Sequence, residues 1–134
     1  MNKITKVIIG SVLLVIIVIG INQTANQNQP QILKVGVIAP LTGDFGAVGE
    51  NVVKGIKAAQ LVYEKQTGNK VELIVENDAA DAKNGLSAFK KLTEIDHVDG
   101  LINTFTSTMD AIYEPAKNLN YPLMMEFFQA NNVA

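Results

Sequence analysis

Cysteine and arginine are both missing from these 134 residues, and histidine occurs once, at position 97. Without cysteine the chain can form no disulfide and carries no lipobox for lipid attachment, so its core alone must hold it. One histidine and no thiol are too few ligands for a zinc site. No metal or other cofactor is expected. Eleven lysines stand against thirteen acids, and two of the lysines, Lys3 and Lys6, lie at the extreme N-terminus. The remainder is mildly acidic and has no basic patch to neutralise phosphates, which argues against nucleic acid as a partner.

Nucleotide signatures are missing too. Gly43, Gly46 and Gly49 repeat every three residues, unlike Gly-x-Gly-x-x-Gly, and no Lys-Ser or Lys-Thr pair completes a phosphate loop. These glycines suit either a plain turn before a helix or close approach of backbone to a ligand. Catalysis lacks its parts. His97 precedes the third expected strand and Ser107 follows it, out of hydrogen-bond reach. A phosphoacceptor regulator needs acids at the end of the first strand, where Ala39-Pro40-Leu41 stands. Neither an enzyme nor a phosphoacceptor regulator is expected.

What is present begins with Val7 to Ile21, fifteen uncharged residues behind two lysines. That is the layout of a secretory signal. As a helix the run would reach about 22 Å, short of a hydrocarbon core of roughly 30 Å. No Ala-x-Ala marks a cleavage site; Val18-Ile19-Gly20 or a cut after Ala25 fit best. Residues 1–25 are thus expected to be a signal peptide, or a signal anchor with membrane contact through residues 7–21 if uncut. The polar Asn/Gln-rich stretch that follows reads as a linker, 26–31, before a unit spanning 32–134.

Ile32 to Ala39 is a nearly continuous apolar run, suited to a parallel strand covered on both faces. From Gly46 the spacing turns helical, with Val48, Val52, Ile56, Ala59 and Tyr63 on one face and a stop at Thr67-Gly68-Asn69. Val71–Glu76 is a second strand, and Asp81 an N-cap for a helix turning Ala82, Leu86, Phe89 and Leu92 inward. A third strand over Val98–Ile102 leads to a helix with Met109, Ile112, Tyr113 and Ala116 inward, and a fourth strand begins at Tyr121. This alternation predicts an α/β fold with an open, mostly parallel Rossmann-like sheet, order 2-1-3-4, flanked by helices and preceded by an N-terminal hydrophobic helix. The exits of strands 1, 3 and 4 should meet at the switch point. Strand 4 would be an apolar edge, inviting more chain or a partner.

The third exit, Asn103 to Asp110, brings four hydroxyls to a helix start: Thr104, Thr106, Ser107 and Thr108. Free N–H groups and the positive end of the helix dipole could hold a carboxylate there, with Ser107 assisting. Ser107 and Asp110 equally fit a Ser-x-x-Asp capping pattern. Glu76, Asp78 and Asp81 could bind a cation, or form a solvated loop with an N-cap. Glu126 could meet a ligand ammonium, or be a plain exposed acid.

The run Val35 to Gly43, with Gly49-Glu50, Gly55, Asn77-Asp78, Asp81, Ala88 to Leu92, Val98 to Ile102 and Tyr121-Pro122-Leu123, resembles the type I periplasmic-binding-protein family. The similarity runs from about Ile32 to Met125 and is nearest to the branched-chain amino acid binders of ABC importers. It implies part of the first of two lobes that close on a ligand. It also implies an exported location, on the periplasmic or extracellular face, with an amino acid as ligand and an ABC permease as partner. Ser107 matches the family's carboxylate-binding position, beside Thr106 and Thr108, and Val48 matches a position where an aromatic often touches ligand. Asn103-Thr104 stands where the family usually has glycine. A membrane-anchored sensor of the same fold is the alternative reading.

Overall fold

The computed structural model describes residues 32–125. The expected hydrophobic helix, the linker and the segment Glu126–Ala134 lie outside the described residues. Within them the elements are β1 (Ile32–Ala39), α1 (Gly46–Thr67), β2 (Lys70–Asn77), α2 (Ala82–Lys90), β3 (Gly100–Asn103), α3 (Thr106–Asn118) and β4 (Leu123–Met125). All strand pairs are parallel, in the order β2-β1-β3-β4. This is the expected sheet.

β1 is central because both its faces are apolar. Ile38 points into a core with Phe89, Leu92, Leu101, Ile112 and Ala116, beneath α2 and α3. Val37 and Ala39 point the other way, toward Val53 of α1. α1 ends as expected on Gly68, whose φ of 75° lets its N–H reach the Glu64 carbonyl. Asp81 caps α2 through its carboxylate and the Asn84 N–H. α2 then widens into a π-helical turn, Lys91–Ile95. Lys91 bridges Glu76 at the end of β2 (2.6 Å) and Asp96 (2.9 Å), and these partners raise its pKa above the ordinary lysine value.

Several expected inward faces are corrected. Ala82 and Tyr113 are exposed, while Gly85 and Ala88 take the buried places on α2. On α1 the buried residues are Gly46, Gly49 and Val53; Val48, Ala59 and Tyr63 stay open. The reason is a half-covered sheet. Among the described residues, α2 and α3 share one face of the sheet, and α1 lies by itself on the other. An open groove of about 800 Å³ therefore runs beside Val48, Val52 and Ile56, floored by Ile102, Met124 and Met125. Among the described residues no helix is long and apolar enough to cross a membrane.

α1 packs closest where it has no side chain. A Cβ on Gly49 would run into the Pro40 carbonyl, so the helix start rests directly on the end of β1. Gly55, on the same helix, has open space around its Cα. Gly49→Ala should therefore lower unfolding free energy by about 1–3 kcal/mol. Gly55→Ala should raise it by about 0.5–1 kcal/mol through helix propensity. Urea denaturation followed by circular dichroism reads both, and equal effects would contradict this packing.

Candidate functional site

The carboxyl ends of the strands line up in one row. Ala39 pairs with Asn77, Ile38 with Asn103, and Asn103 with Met125. Hydrogen bonds then tie the departing loops to β1. The Ile38 carbonyl accepts from the Thr104 N–H (3.0 Å) and the Thr104 hydroxyl (3.1 Å). The Ala39 carbonyl accepts from the Asp78 N–H at 3.1 Å. Asn77 accepts from the Leu41 N–H (2.8 Å) and donates to the Thr42 hydroxyl (2.9 Å). The three loop roots thus converge on a single notch.

Two helices open onto this notch, and neither is capped by its own side chain. The N-cap residue of α1 is Phe45 and that of α3 is Phe105. Phenylalanine cannot accept the orphan N–H bonds that Ser, Thr, Asp or Asn would take, a sacrifice of about 1 kcal/mol per helix. Instead the two rings meet in a tilted contact, with centroids 4.6 Å apart and planes at 51°. Phe45 remains 46% exposed. Behind Phe105 lies a buried clamp. Asn103 Nδ2 donates to the Phe105 carbonyl (2.7 Å), and the Thr108 hydroxyl donates to Asn103 Oδ1 (2.9 Å).

The five residues singled out from sequence fall into two groups. Thr104 and Thr108 are buried, their hydroxyls engaged as above. Thr106, Ser107 and Val48 are open to solvent. Thr106 and Ser107 stand in the first turn of α3 beside its free N–H groups. Val48 lies on the groove side of α1. The Ser-x-x-Asp capping box does not form, because α3 starts at Thr106 and Ser107 is already inside it. The Ser107 hydroxyl donates instead to the Ala80 carbonyl at 2.9 Å, across to the β2–α2 loop. In that loop Ala79 and Ala80 both have positive φ, 50° and 59°.

The acidic cluster separates on folding. Glu76 pairs with Lys91, and Asp81 caps α2. Asp78 is fully buried, not solvated; its Oδ1 accepts from the Ala80 N–H, and its Oδ2 has no partner. No cluster that could hold a metal ion occurs among the described residues. Sequence reasoning missed Phe45, Phe105 and the clamp role of Asn103. Their signal was a polar residue closing an apolar strand, and phenylalanine where a helix start favours a capping residue.

The profile of a family described as periplasmic binding protein matches residues 32–132. A Leu/Ile/Val-binding protein homolog 3 from Brucella melitensis is 40% identical over 77 residues, covering 54% of this chain and 21% of the relative. The chain thus spans about a fifth of the length of that relative. A solute binding protein of an ABC transporter from Rhodopseudomonas palustris BisB5, solved with 3,4-dihydroxybenzoic acid, superposes with a TM-score of 0.60 at 28% identity; 70% of this chain and 26% of that one are covered. A branched-chain amino acid transporter structure from Rhodopseudomonas palustris CGA009 shares the fold, with a TM-score of 0.68 at 21% identity, covering 74% of this chain and 28% of that one.

The clamp and the surface tie should respond differently to truncation. Asn103→Ala removes both Asn103 bonds of the buried clamp and leaves the Thr108 hydroxyl and the Phe105 carbonyl only each other, at 3.0 Å, so it should cost about 2 kcal/mol of stability. Ser107→Ala removes one exposed bond and should cost about 1 kcal/mol or less. Chemical denaturation of the two variants checks the difference; equal losses would mean that Asn103 is not holding the helix start.

Proposed function

Because the chain belongs to the periplasmic binding protein family, we propose that it forms one wall of a solute-binding cleft in an exported receptor. The solute is a small carboxylate-bearing molecule, with branched-chain or related amino acids as the leading class, handed on to an ABC permease. The role is capture and release, not catalysis. The observation that carries this reading is the start of α3: an uncapped helix N-terminus with Thr106 and Ser107 exposed at the point where strand order reverses. The names of the relatives support it. One is a Leu/Ile/Val-binding homolog and one holds 3,4-dihydroxybenzoic acid. Amino acids and benzoic acids have a carboxylate in common.

On this reading a carboxylate would receive main-chain N–H bonds from the first turn of α3, and the hydroxyls of Thr106 and Ser107 would border it. Thr104 and Thr108 would support the loop from beneath, and Val48 would stand at the rim. Two-lobed receptors of this kind act by closing on the solute. One wall alone offers part of the contacts, so affinity in the 134-residue chain should be weak.

Two measurements test the proposal. Titrating the 15N-labelled chain with leucine should move the amide signals of Thr106, Ser107 and Thr108, saturating only at millimolar concentration. Ser107→Asp, which sets a negative charge at the same helix start, should abolish those shifts while leaving the circular dichroism spectrum unchanged. Unmoved α3 amides, or shifts that survive Ser107→Asp, would overturn the assignment. Sequencing the N-terminus of the exported protein separates the two cellular settings: loss of residues up to about Ala25 marks the released receptor. Retention of residues 7–21 marks the membrane-anchored sensor.

A further inference from the structure

Three unfavourable features meet in the β2–α2 turn, Asp78–Asp81. Ala79 and Ala80 both lie in the left-handed region, at φ 50° and 59°. Alanine has no polar side chain to favour that conformation, and each such residue is strained relative to glycine. Asp78 is fully buried, and its Oδ2 has no hydrogen-bond partner among the described residues. A buried carboxylate oxygen without a donor is destabilising. Strain of this kind persists only where the surroundings enforce it, and it gathers at segments that switch. We infer that the turn is a latch: Ser107 holds it shut in the conformation described here, and a solute that draws the Ser107 hydroxyl to itself releases it. This rests on the carboxylate site proposed above and gives that site a conformational response.

The contacts around the turn show what holds it. Its ends are fixed. The Asp78 N–H donates to the Ala39 carbonyl (3.1 Å), and Asp81 caps α2 by accepting from the Asn84 N–H (2.9 Å). Between these ends the bonds are local. The Ala79 N–H donates to Asn77 Oδ1 (3.0 Å), the Ala80 N–H to Asp78 Oδ1 (2.9 Å) and the Asp81 N–H to the Asp78 carbonyl (2.9 Å). Among the described residues, the hydrogen bond that ties the two alanines to another element is the one from Ser107 to the Ala80 carbonyl, at 2.9 Å.

That hydroxyl has a single proton, so it serves the latch or the solute, not both. Once it turns away, the strain at Ala79 and Ala80 and the unpaired oxygen of Asp78 all favour rearrangement. The fixed ends confine the change to the two alanines, and Ala79 is exposed, so the change appears at the surface. Glycine at these positions would make the same turn at rest; alanine keeps it under tension.

The test follows exchange of the Ala80 and Asp81 amide protons with water in the 15N-labelled 134-residue chain, at fixed pH and corrected for intrinsic rates. Ser107→Ala cuts the tie and should speed exchange about two- to tenfold, the range of one hydrogen bond. Ala80→Gly keeps the tie and removes strain, and should slow exchange about five- to thirtyfold. Combining the two should bring exchange back to the wild-type rate or below it. Leucine at millimolar concentration should speed exchange in the wild-type chain and leave Ser107→Ala unchanged. Unaltered exchange in Ser107→Ala, or unaltered or faster exchange in Ala80→Gly, would overturn the latch. If leucine moves the α3 amides but not the exchange of the turn, the latch is uncoupled from the solute and the inference fails while the carboxylate site stands. If leucine moves neither, the carboxylate site fails and the response to solute fails with it.

Discussion

The end of β1 is the constraint on which the notch depends. Its last residues are sealed on both faces, so their position is dictated by the core and not by the loops. Two of its carbonyls, those of Ile38 and Ala39, then act as anchors for the segments leaving β3 and β2. A buried carbonyl needs a partner, and the partner here is always a root of a neighbouring loop. Packing at the centre of the sheet is thereby converted into the placement of α3 and of the β2–α2 turn. Gly49 extends the same logic to α1, because only a residue without a side chain lets that helix begin against Pro40.

From this fixed point the site divides into a hidden layer and an open one. Asn103, Thr104 and Thr108 are buried and spend their polar groups on one another and on backbone. Phe45, Thr106 and Ser107 face solvent above them. The hidden layer is stiff because each of its members would leave an unpaired buried group if it moved. The open layer can leave groups unpaired within the protein, since water serves them.

Much of this was legible in the sequence. Short apolar runs and the 3.6-residue period marked the order of strands and helices, and parallel crossovers implied the sheet order that the structure has. Asp81 and Gly68 were readable because capping is local chemistry. Ala82, Tyr113 and the outer face of α1 were misread because periodicity says which residues share a face, not how that face is turned toward the sheet. Among the described residues, the α1 side of the sheet carries an open groove, so apolar side chains there stay exposed. Thr104 and Thr108 looked equivalent to Thr106 and Ser107 in sequence. Only the register of β3 against β1 shows which hydroxyls turn toward the backbone. The Ser107 bond to Ala80 joins residues 27 apart in the chain and had no local signature.

That bond also limits what Ser107 can do. A serine hydroxyl has one proton, and here it is given to the Ala80 carbonyl. To donate to an incoming carboxylate, Ser107 must first release Ala80, in a loop that already holds two alanines at positive φ. Exchanging one such bond for another yields little net free energy. Main-chain N–H groups of the first α3 turn face no such exchange, because no side chain caps them. On the proposed reading, the attraction for an anion would therefore come chiefly from the backbone and the helix dipole, which every small acid experiences alike. Discrimination among acids would then have to come from shape, in the side chains that border the helix start rather than in the helix start itself.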